Sequence, residues 1–175
     1  MRDFKIWFTS DTHFSSGRTL ELSKRPFKTV EEMDNTIIEN WNSIVGKDDV
    51  IFHLGDFGDY NKVKELNGKV ILITGNYERN DMLTANSALE YGFCNMFNSY
   101  SSEIEGYKIN LAHEPSAIKS EDGINLFGHI HKLCMVKPYG LNVGVDCHNF
   151  YPIDLETVLF YYNAILNHYD DEVFN

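Results

Sequence analysis

The sequence predicts an α/β fold that begins with a parallel sheet and ends with antiparallel strands. Apolar runs rich in Ile, Val and Leu alternate with segments whose apolar residues fall at helical spacing, which is typical of β-α-β units. The runs at residues 50–54 and 70–74 are almost continuously apolar, as expected for parallel strands covered on both faces. In the second half shorter strands follow one another, and Glu105-Gly106 between two of them predicts a hairpin turn.

The first half of the chain starts with a strand at residues 4–9, which are rich in aromatic and β-branched side chains. A polar loop is predicted from Phe14 to Lys28. The run from Thr29 to Glu32 is a capping box, and apolar residues at helical spacing behind it predict an amphipathic helix that ends at Gly46. The elements predicted after it are strands at 50–54 and 70–74, a short helix at 62–66 and a helix at 81–91.

The second half of the chain is predicted to contain short strands and one final helix. Asp154 can cap this helix, and its apolar face begins at Leu155. The acidic tail from residue 169 onward is expected to fray. The predicted strands are 99–104, 107–112, 124–127, 133–137 and 141–145.

Size and charge limit the classes of function. A chain of 175 residues, 43% of them hydrophobic, predicts one packed domain that spans residues 1–175 without a linker or repeat. The formal net charge of -11 argues against a general affinity for long nucleic acids or anionic membranes, because both need a positive surface. No apolar stretch reaches membrane-spanning length.

The three cysteines, Cys94, Cys134 and Cys147, are scattered and show no CxxC spacing. This pattern predicts free thiols in a reducing compartment rather than disulfides or thiolate metal ligands. Together with the lack of an apolar signal segment at the start, it predicts a cytoplasmic protein, or one inside a host cell if the source is viral.

Five short polar motifs each follow a predicted strand. Their Asp, Asn and His side chains suit Mn, Fe, Zn or Ni better than Ca. Ligands of open α/β sheets bind beyond the carboxyl ends of the strands, so these motifs predict a metal site there. Extended backbone would put side chains two residues apart on one face, able to converge on one ion. The motifs are Asp11-Thr12-His13, Gly55-Asp56, Gly75-Asn76, His113 and Gly128-His129-Ile130-His131.

The ordered series D-x-H, GD, GN, H and GHxH, over residues 11–131, resembles the calcineurin-like metallophosphoesterase superfamily. The flanking segments resemble a small single-domain branch from bacteria and phages; they are Phe8 to Phe14, Arg25 to Phe27, Glu31 to Met33 and Asn142 to Asp146. The resemblance implies a four-layer α/β/β/α sandwich, in which two packed mixed sheets are flanked by helices.

The resemblance also implies a dinuclear metal centre. Asp56 would bridge the two ions, because a carboxylate has two ligating oxygens. The implied ligands are Asp11, His13 and His131 for the first ion and Asn76, His113 and His129 for the second. Two such ions can share a hydroxide as nucleophile and clamp the attacking and leaving oxygens at phosphorus.

The implied activity is hydrolysis of a phosphate mono- or diester, with Mn as the ion expected to support it. The expected partner is a small phosphate ester, such as a nucleotide or phosphodiester, and neither long nucleic acid nor membrane. Arg25 and Arg79 are candidates for phosphate contacts, because a planar guanidinium matches phosphoryl oxygens. The catalytic candidates are Asp56, Asn76, Tyr77, Glu78 and His113.

One position departs from the family pattern. The third motif is usually GN-His followed by Asp or Glu, and the His can protonate the leaving oxygen, whereas this chain has Gly75-Asn76-Tyr77-Glu78. A tyrosine can hydrogen-bond a phosphoryl oxygen but is a poor proton donor near neutral pH. Glu78 matches the acidic residue that normally orients the histidine. Two alternatives therefore stay open: a metal-binding regulatory or catalytically weakened member, and a phosphodiesterase that processes nucleotides or nucleic-acid ends.

Overall fold

The computed structural model describes residues 4–118 and 122–168, and folds them into two five-stranded sheets. The first half of the chain supplies most of the first sheet. Its helices and strands are β1 (Ile6–Thr9), α1 (Gly17–Leu22), α2 (Val30–Ile44), β2 (Val50–His53), a 3-10 helix (Tyr60–Glu65), β3 (Lys69–Ile73), α3 (Asn76–Asn80), α4 (Ala85–Tyr91) and β4 (Asn95–Phe97).

The second half supplies the second sheet, one edge strand of the first, and the last helix. Short 3-10 turns connect several of these elements, among them the turn His131–Leu133. The elements are β5 (Tyr100–Ile104), β6 (Tyr107–Leu111), β7 (Ile124–Phe127), β8 (Val136–Lys137), β9 (Gly140–Asn142), β10 (Ile153–Asp154) and α5 (Leu155–His168).

Both sheets are mixed. The first has the order β10-β1-β2-β3-β4, with β10 antiparallel to β1 and the other neighbours parallel. The second has the order β5-β6-β7-β9-β8. The expectation of an antiparallel second half is correct for β5-β6 and β8-β9 but wrong for β6-β7 and β7-β9, which are parallel. The parallel pairing puts the carboxyl ends of β6 and β7 at one edge.

The alternation of side chains along β1 joins two hydrophobic clusters. Trp7 points toward α2 and packs in a cluster with Met33, Ile37 and Trp41 of that helix. Phe8 points the other way, into the cluster between the two sheets. Fully burying each such side chain contributes about 1.5–3 kcal/mol. The result is the predicted sandwich of two packed mixed sheets flanked by helices.

The start of α2 confirms the predicted Thr29 cap but not the reciprocal bond of a capping box, because the Glu32 carboxylate bonds the N–H of Lys28 and not that of Thr29. Thr29 accepts a hydrogen bond from the backbone N–H of Glu32, and the carboxylate of Glu32 accepts from the N–H of Lys28. The helix α1 was not predicted, because six residues are too few to show an apolar period; Ser16 caps it by accepting from the N–H of Thr19. The short elements α3, β4 and β10 were not predicted either.

Asp49 ties the first strand to the loop before β2. Its two carboxylate oxygens accept hydrogen bonds from the N–H of Lys5, the N–H of Gly46 and the indole of Trp7, each at 2.8 Å. Burial raises the pKa of Asp49, but these hydrogen bonds outweigh it and hold the pKa below its ordinary value.

Within residues 4–118 and 122–168 no helix is long and apolar enough to span a membrane.

Candidate metal centre

Seven polar side chains from five strand ends meet at one edge of the molecule. The strands β1, β2, β3, β6 and β7 are each followed, within a few residues, by one of the predicted ligand motifs. Because β1-β2-β3 and β6-β7 pair in parallel, these ends lie at corresponding edges of the two packed sheets. The parallel register is therefore what assembles the candidate site.

The backbone at these ligands is not extended. Five of the seven lie in the left-handed region, at φ angles of 57° for Asp11, 50° for His13, 57° for Asp56, 70° for His129 and 47° for His131. Residues other than glycine rarely adopt it, and each such residue costs of order 1–3 kcal/mol, held by the surrounding structure. The prediction that extended backbone aligns each Asp-x-His or His-x-His pair is thus wrong, since sharp turns aim these side chains.

The first group of ligand atoms comes from Asp11, His13 and His131, and these atoms lie within 4.8 Å of one another. The second group, from Asp56, His113 and His129, has the same spread. His129 and His131 therefore belong to different groups, although extended backbone would have put them on one face. The two groups match the two ligand sets that the family resemblance implies.

Asn76 joins the second group. Its side-chain oxygen lies 3.2 Å from His113 Nε2 and 3.1 Å from His129 Nδ1. Asn76 is the first residue of α3, so the turn of Gly75 into the helix points its side chain at the centre. The seven predicted ligands are thus brought together.

Asp56 is a member of the second group and also lies next to the first. Its Oδ2 is 3.6 Å from His13 Nε2, and its Oδ1 is 3.5 Å from His113 Nε2. Each carboxylate oxygen therefore faces a different group. Burial raises the pKa of Asp56, but the hydrogen bond and charge of His113 outweigh it and lower that pKa.

Three buried atoms of the first group have no hydrogen-bond partner among the residues that the structure describes: Asp11 Oδ1 and both ring nitrogens of His13. Buried polar atoms are nearly always satisfied, and leaving one unpaired costs about 1–3 kcal/mol. Burial lowers the pKa of His13 to about 4, against the attraction of Asp11 and Asp56, so its ring is neutral at pH 7 and has a free lone pair. Unpaired carboxylate and neutral imidazole atoms in one cluster are what a divalent transition metal needs.

Two histidines are oriented by hydrogen bonds on their other ring nitrogen. His113 Nδ1 donates to the carbonyl oxygen of Leu54 at 2.7 Å, which turns Nε2 toward Asn76. His131 Nδ1 donates to Asp146 Oδ2 at 2.7 Å. Such outer partners fix the tautomer and the direction of a metal-binding imidazole. Asp146 was not among the predicted site residues.

Arg25 is held by Asp146 rather than facing the pocket. Its Nε and Nη2 donate to the two carboxylate oxygens of Asp146 at 3.0 and 2.8 Å, and it also donates to the backbone oxygens of Asp11 and Thr12. Arg25 is only 5% exposed. Burial raises the pKa of Asp146, but the hydrogen bond from His131 and the hydrogen bonds and charge of Arg25 outweigh it and lower that pKa to about 2. The geometry makes Arg25 a support for the Asp11-Thr12-His13 turn.

Glu78 is fully buried and braces two ligand loops. Its carboxylate accepts from the backbone N–H groups of Asp56, Phe57 and Gly75, at 2.9, 2.9 and 2.7 Å. Glu78 was predicted to match the acidic residue that orients the side chain at position 77, but its carboxylate bonds these backbone N–H groups instead. Gly75 itself is required by space, because a Cβ there would collide with the Asp56 carboxylate.

Tyr77 lies beside the first group. Its ring meets the ring of His13 edge-on, with 4.6 Å between centroids, and its backbone N–H donates to Asp56 Oδ1 at 2.9 Å. Arg79, by contrast, forms an ion pair with Glu114 and does not line the pocket over the centre. Contact of Arg25 or Arg79 with substrate remains a prediction that this geometry does not favour.

A pocket of about 520 Å³ opens over the centre. Its floor consists of six predicted site residues, namely His13, Asp56, Asn76, Tyr77, His129 and His131. The rest of its wall includes Arg18 and Leu22 of α1, and Lys132 and Leu133 of the turn His131–Leu133. None of these four was predicted. Arg18 and Leu22 lie on α1, which was itself not predicted, and Lys132 and Leu133 lie outside the ligand motifs.

Comparison with known proteins shows which family the chain belongs to. The domain family described as the calcineurin-like phosphoesterase superfamily matches residues 4–144. An uncharacterized protein of Methanocaldococcus jannaschii is 32% identical over 172 residues, which cover 89% of each chain. The Gene 66 protein of Mycobacterium phage D29 is 24% identical over 186 residues, covering 85% of this chain and 92% of the phage protein.

Two solved structures share the fold. A protein of unknown function from Aquifex aeolicus superposes with a TM-score of 0.73 at 23% identity, covering 91% of this chain and 100% of its own. A structure described as a novel archaeal phosphodiesterase superposes with a TM-score of 0.53 at 20% identity, covering 87% and 99%. At these identities the likeness extends to the fold alone.

Proposed function

The chain belongs to the calcineurin-like phosphoesterase superfamily, and we propose that it is a dinuclear metal-dependent hydrolase of phosphate mono- or diesters. The observation that carries the proposal is the position of Asp56, whose two carboxylate oxygens face two separate groups of candidate ligands. A carboxylate placed in this way can bridge two ions.

In the proposed centre, Asp56 is shared by both ions. The other ligands are Asp11, His13 and His131 for the first ion and Asn76, His113 and His129 for the second. The unpaired buried atoms of Asp11 and His13 support this assignment, because an ion would satisfy them. Divalent ions in such a site supply a nucleophile from water at neutral pH and neutralise charge at the phosphoryl oxygens. Mn is the ion that we propose for activity, from the mixed oxygen and imidazole ligands.

The chain's own residues then position the substrate and the ligands. Tyr77 lies in the pocket beside His13, where its hydroxyl can donate a hydrogen bond to a phosphoryl oxygen. Glu78 and Asp146 hold the backbone turns and the His131 ring in place. Because Tyr77 replaces the usual histidine, we propose that esters with good leaving groups are hydrolysed best.

A steady-state assay tests the proposal directly. Bis(4-nitrophenyl) phosphate with added Mn should be hydrolysed by the wild-type protein, and Asp56→Asn and His129→Ala should each lower kcat at least a hundredfold, as expected for loss of a metal ligand. Asp48→Asn is the matched control, because Asp48 is an exposed carboxylate outside the site. Unchanged turnover in Asp56→Asn would contradict the proposal.

A second candidate function is a metal-binding regulatory or catalytically weakened protein, favoured by Tyr77. It predicts bound metal with no turnover of mono- or diesters. The third candidate function, a phosphodiesterase acting on nucleotides or nucleic-acid ends, is supported by the size of the pocket.

A cytoplasmic location is also proposed. It is supported by the three cysteines, all of which are free thiols.

A further inference from the structure

Part of the pocket wall is formed by four residues that the proposed chemistry does not use. Arg18 and Leu22 come from α1, while Lys132 and Leu133 come from the turn His131–Leu133. The pocket extends over both the centre and this wall, and its volume of about 520 Å³ lies within the roughly 300–1,000 Å³ of small-molecule sites. It therefore has room for much more than one phosphoryl group.

Two cations on this wall are available to an anion. In the part of the chain that the structure describes, the Arg18 guanidinium has no hydrogen bond or ion pair. Among the same described residues, the Lys132 ammonium makes one hydrogen bond, of 3.4 Å, to the backbone oxygen of Lys24. The chain has a net charge of -11, so its overall field repels anions. Two cations at one pocket wall locally reverse that repulsion.

The same wall exposes two large apolar side chains. Leu22 is 71% exposed and Leu133 is 86% exposed, although they belong to separate elements that face one pocket. A single exposed leucine needs no explanation, but two that line one pocket form an apolar contact surface. An apolar or aromatic group placed between them would remove that surface from water, at about 25 cal/mol per Å².

From this wall we infer that the preferred substrate is a small phosphodiester that carries a second anionic group and an apolar or aromatic part. Arg18 and Lys132 bind the second anion, and Leu22 and Leu133 contact the apolar part. A nucleotide with two phosphate groups has this chemistry. The inference rests on the proposed function, because it places the reacting phosphorus at the metal centre.

The reaction on such a substrate needs only water. The water oxygen bonds to phosphorus, and the P–O bond to the leaving group breaks with its electron pair. One proton of the water is released, and the leaving oxygen either takes up a proton or departs as a stable anion such as 4-nitrophenolate. The second anionic group takes no part in the bond changes, so it affects binding without changing the reacting bond.

Two substrates with the same reacting bond test the inference. Thymidine 5′-(4-nitrophenyl phosphate) lacks the second anion, and its 3′-phosphorylated form has it. We expect the wild-type protein to prefer the 3′-phosphorylated ester by about tenfold in kcat/KM, the size of one hydrogen bond to a charged group. Arg18→Gln and Lys132→Gln should each reduce that preference, because they should lower kcat/KM for the 3′-phosphorylated ester more than kcat/KM for the ester that lacks the second phosphate.

The control variant is Lys47→Gln, which removes an exposed cation in the loop between α2 and β2. It should keep the full preference. The apolar contact is tested with Leu133→Asn, which should reduce the preference for thymidine 5′-(4-nitrophenyl phosphate) over methyl 4-nitrophenyl phosphate. Equal preferences in the wild type, Arg18→Gln and Leu133→Asn proteins would overturn the inference.

Failure of the inference differs from failure of the proposed function. If all esters are hydrolysed at equal rates, the phosphoesterase proposal stands and the substrate inference is wrong. If none is hydrolysed with Mn present, the proposed function is wrong. Calorimetric binding of thymidine 3′,5′-bisphosphate tests the anion-binding role of Arg18 separately from turnover: tighter binding to the wild type than to Arg18→Gln supports that role, and equal binding overturns it.

Discussion

At the scale of single residues, the site depends on side chains that support the candidate ligands without lining the pocket. Asp146 accepts a hydrogen bond from the ring of His131 and two from the guanidinium of Arg25, which in turn holds the backbone of the Asp11 turn. One carboxylate therefore fixes a candidate ligand from β7 and a loop from β1. Residue type predicted the ligands but could not predict Asp146, because its partner Arg25 is 121 residues away in sequence.

Asp146→Asn tests this support. An amide keeps the size of the side chain but weakens the hydrogen bond to His131 Nδ1 and loses the charge opposite Arg25. Loss of an outer partner of this kind typically lowers metal affinity or activity by about 10- to 100-fold. We expect activity at low Mn to fall and to recover at high Mn, with Asp48→Asn as the unaffected control. A loss of activity that no Mn concentration restores would contradict a positioning role.

Tyr77 allows a second prediction at this scale. If the missing histidine limits protonation of the leaving oxygen, Tyr77→His should speed the hydrolysis of esters with a poorer leaving group, such as phenol, more than that of 4-nitrophenyl esters, whose leaving group needs no proton. The measurement is the ratio of kcat for methyl phenyl phosphate and methyl 4-nitrophenyl phosphate. Tyr77→Phe is the control, because it removes the hydroxyl and keeps the ring. An unchanged ratio in Tyr77→His would show that residue 77 does not limit the acid step.

At the scale of elements, the sequence predicts the long or strongly patterned segments well. The capping box at Thr29 and the apolar period behind it predict α2 within one or two residues, because local hydrogen bonds and amphipathicity both mark it. The helix α1 and the left-handed turns at Asp11 and His129 were not predicted. Short helices show no period, and the backbone angle of a strained residue is set by the tertiary structure around it.

The prediction at the scale of elements concerns Asp49, whose hydrogen bonds connect the start of β1 to the loop after α2. Asp49→Asn places an amide N–H among N–H donors, and we expect it to lower the free energy of unfolding at pH 7 by about 1–3 kcal/mol. The pKa of Asp49 is lowered in the folded protein, so its contribution is present above the ordinary pKa and is lost as pH falls through the folded value. The difference between wild type and variant should therefore shrink below about pH 4.

Urea denaturation at several pH values measures this difference. Asp48→Asn is the neighbouring control, since Asp48 is exposed and lies outside the hydrogen bonds of Asp49. A destabilisation of the same size at pH 7 in both variants would mean that the Asp49 contacts do not join the two elements.

At the scale of the whole molecule, two sheets built from successive parts of the chain meet so that their strand ends face one pocket. The first sheet supplies Asp11, His13, Asp56 and Asn76, and the second supplies His113, His129 and His131, so neither half of the chain carries the site alone. Ligand binding across both sheets should stabilise the assembled fold. We expect Mn to raise the Tm of the wild-type protein, and to do so much less in Asp56→Asn.

The number of Mn ions bound per chain tests the central claim most directly. Equilibrium dialysis of the wild-type protein against Mn, followed by elemental analysis, should give two ions per chain, because Asp56 faces two groups of ligands. Asp56→Asn should bind fewer than two. A wild-type protein that binds one ion or none at saturating Mn would contradict the dinuclear centre, and with it the proposed chemistry.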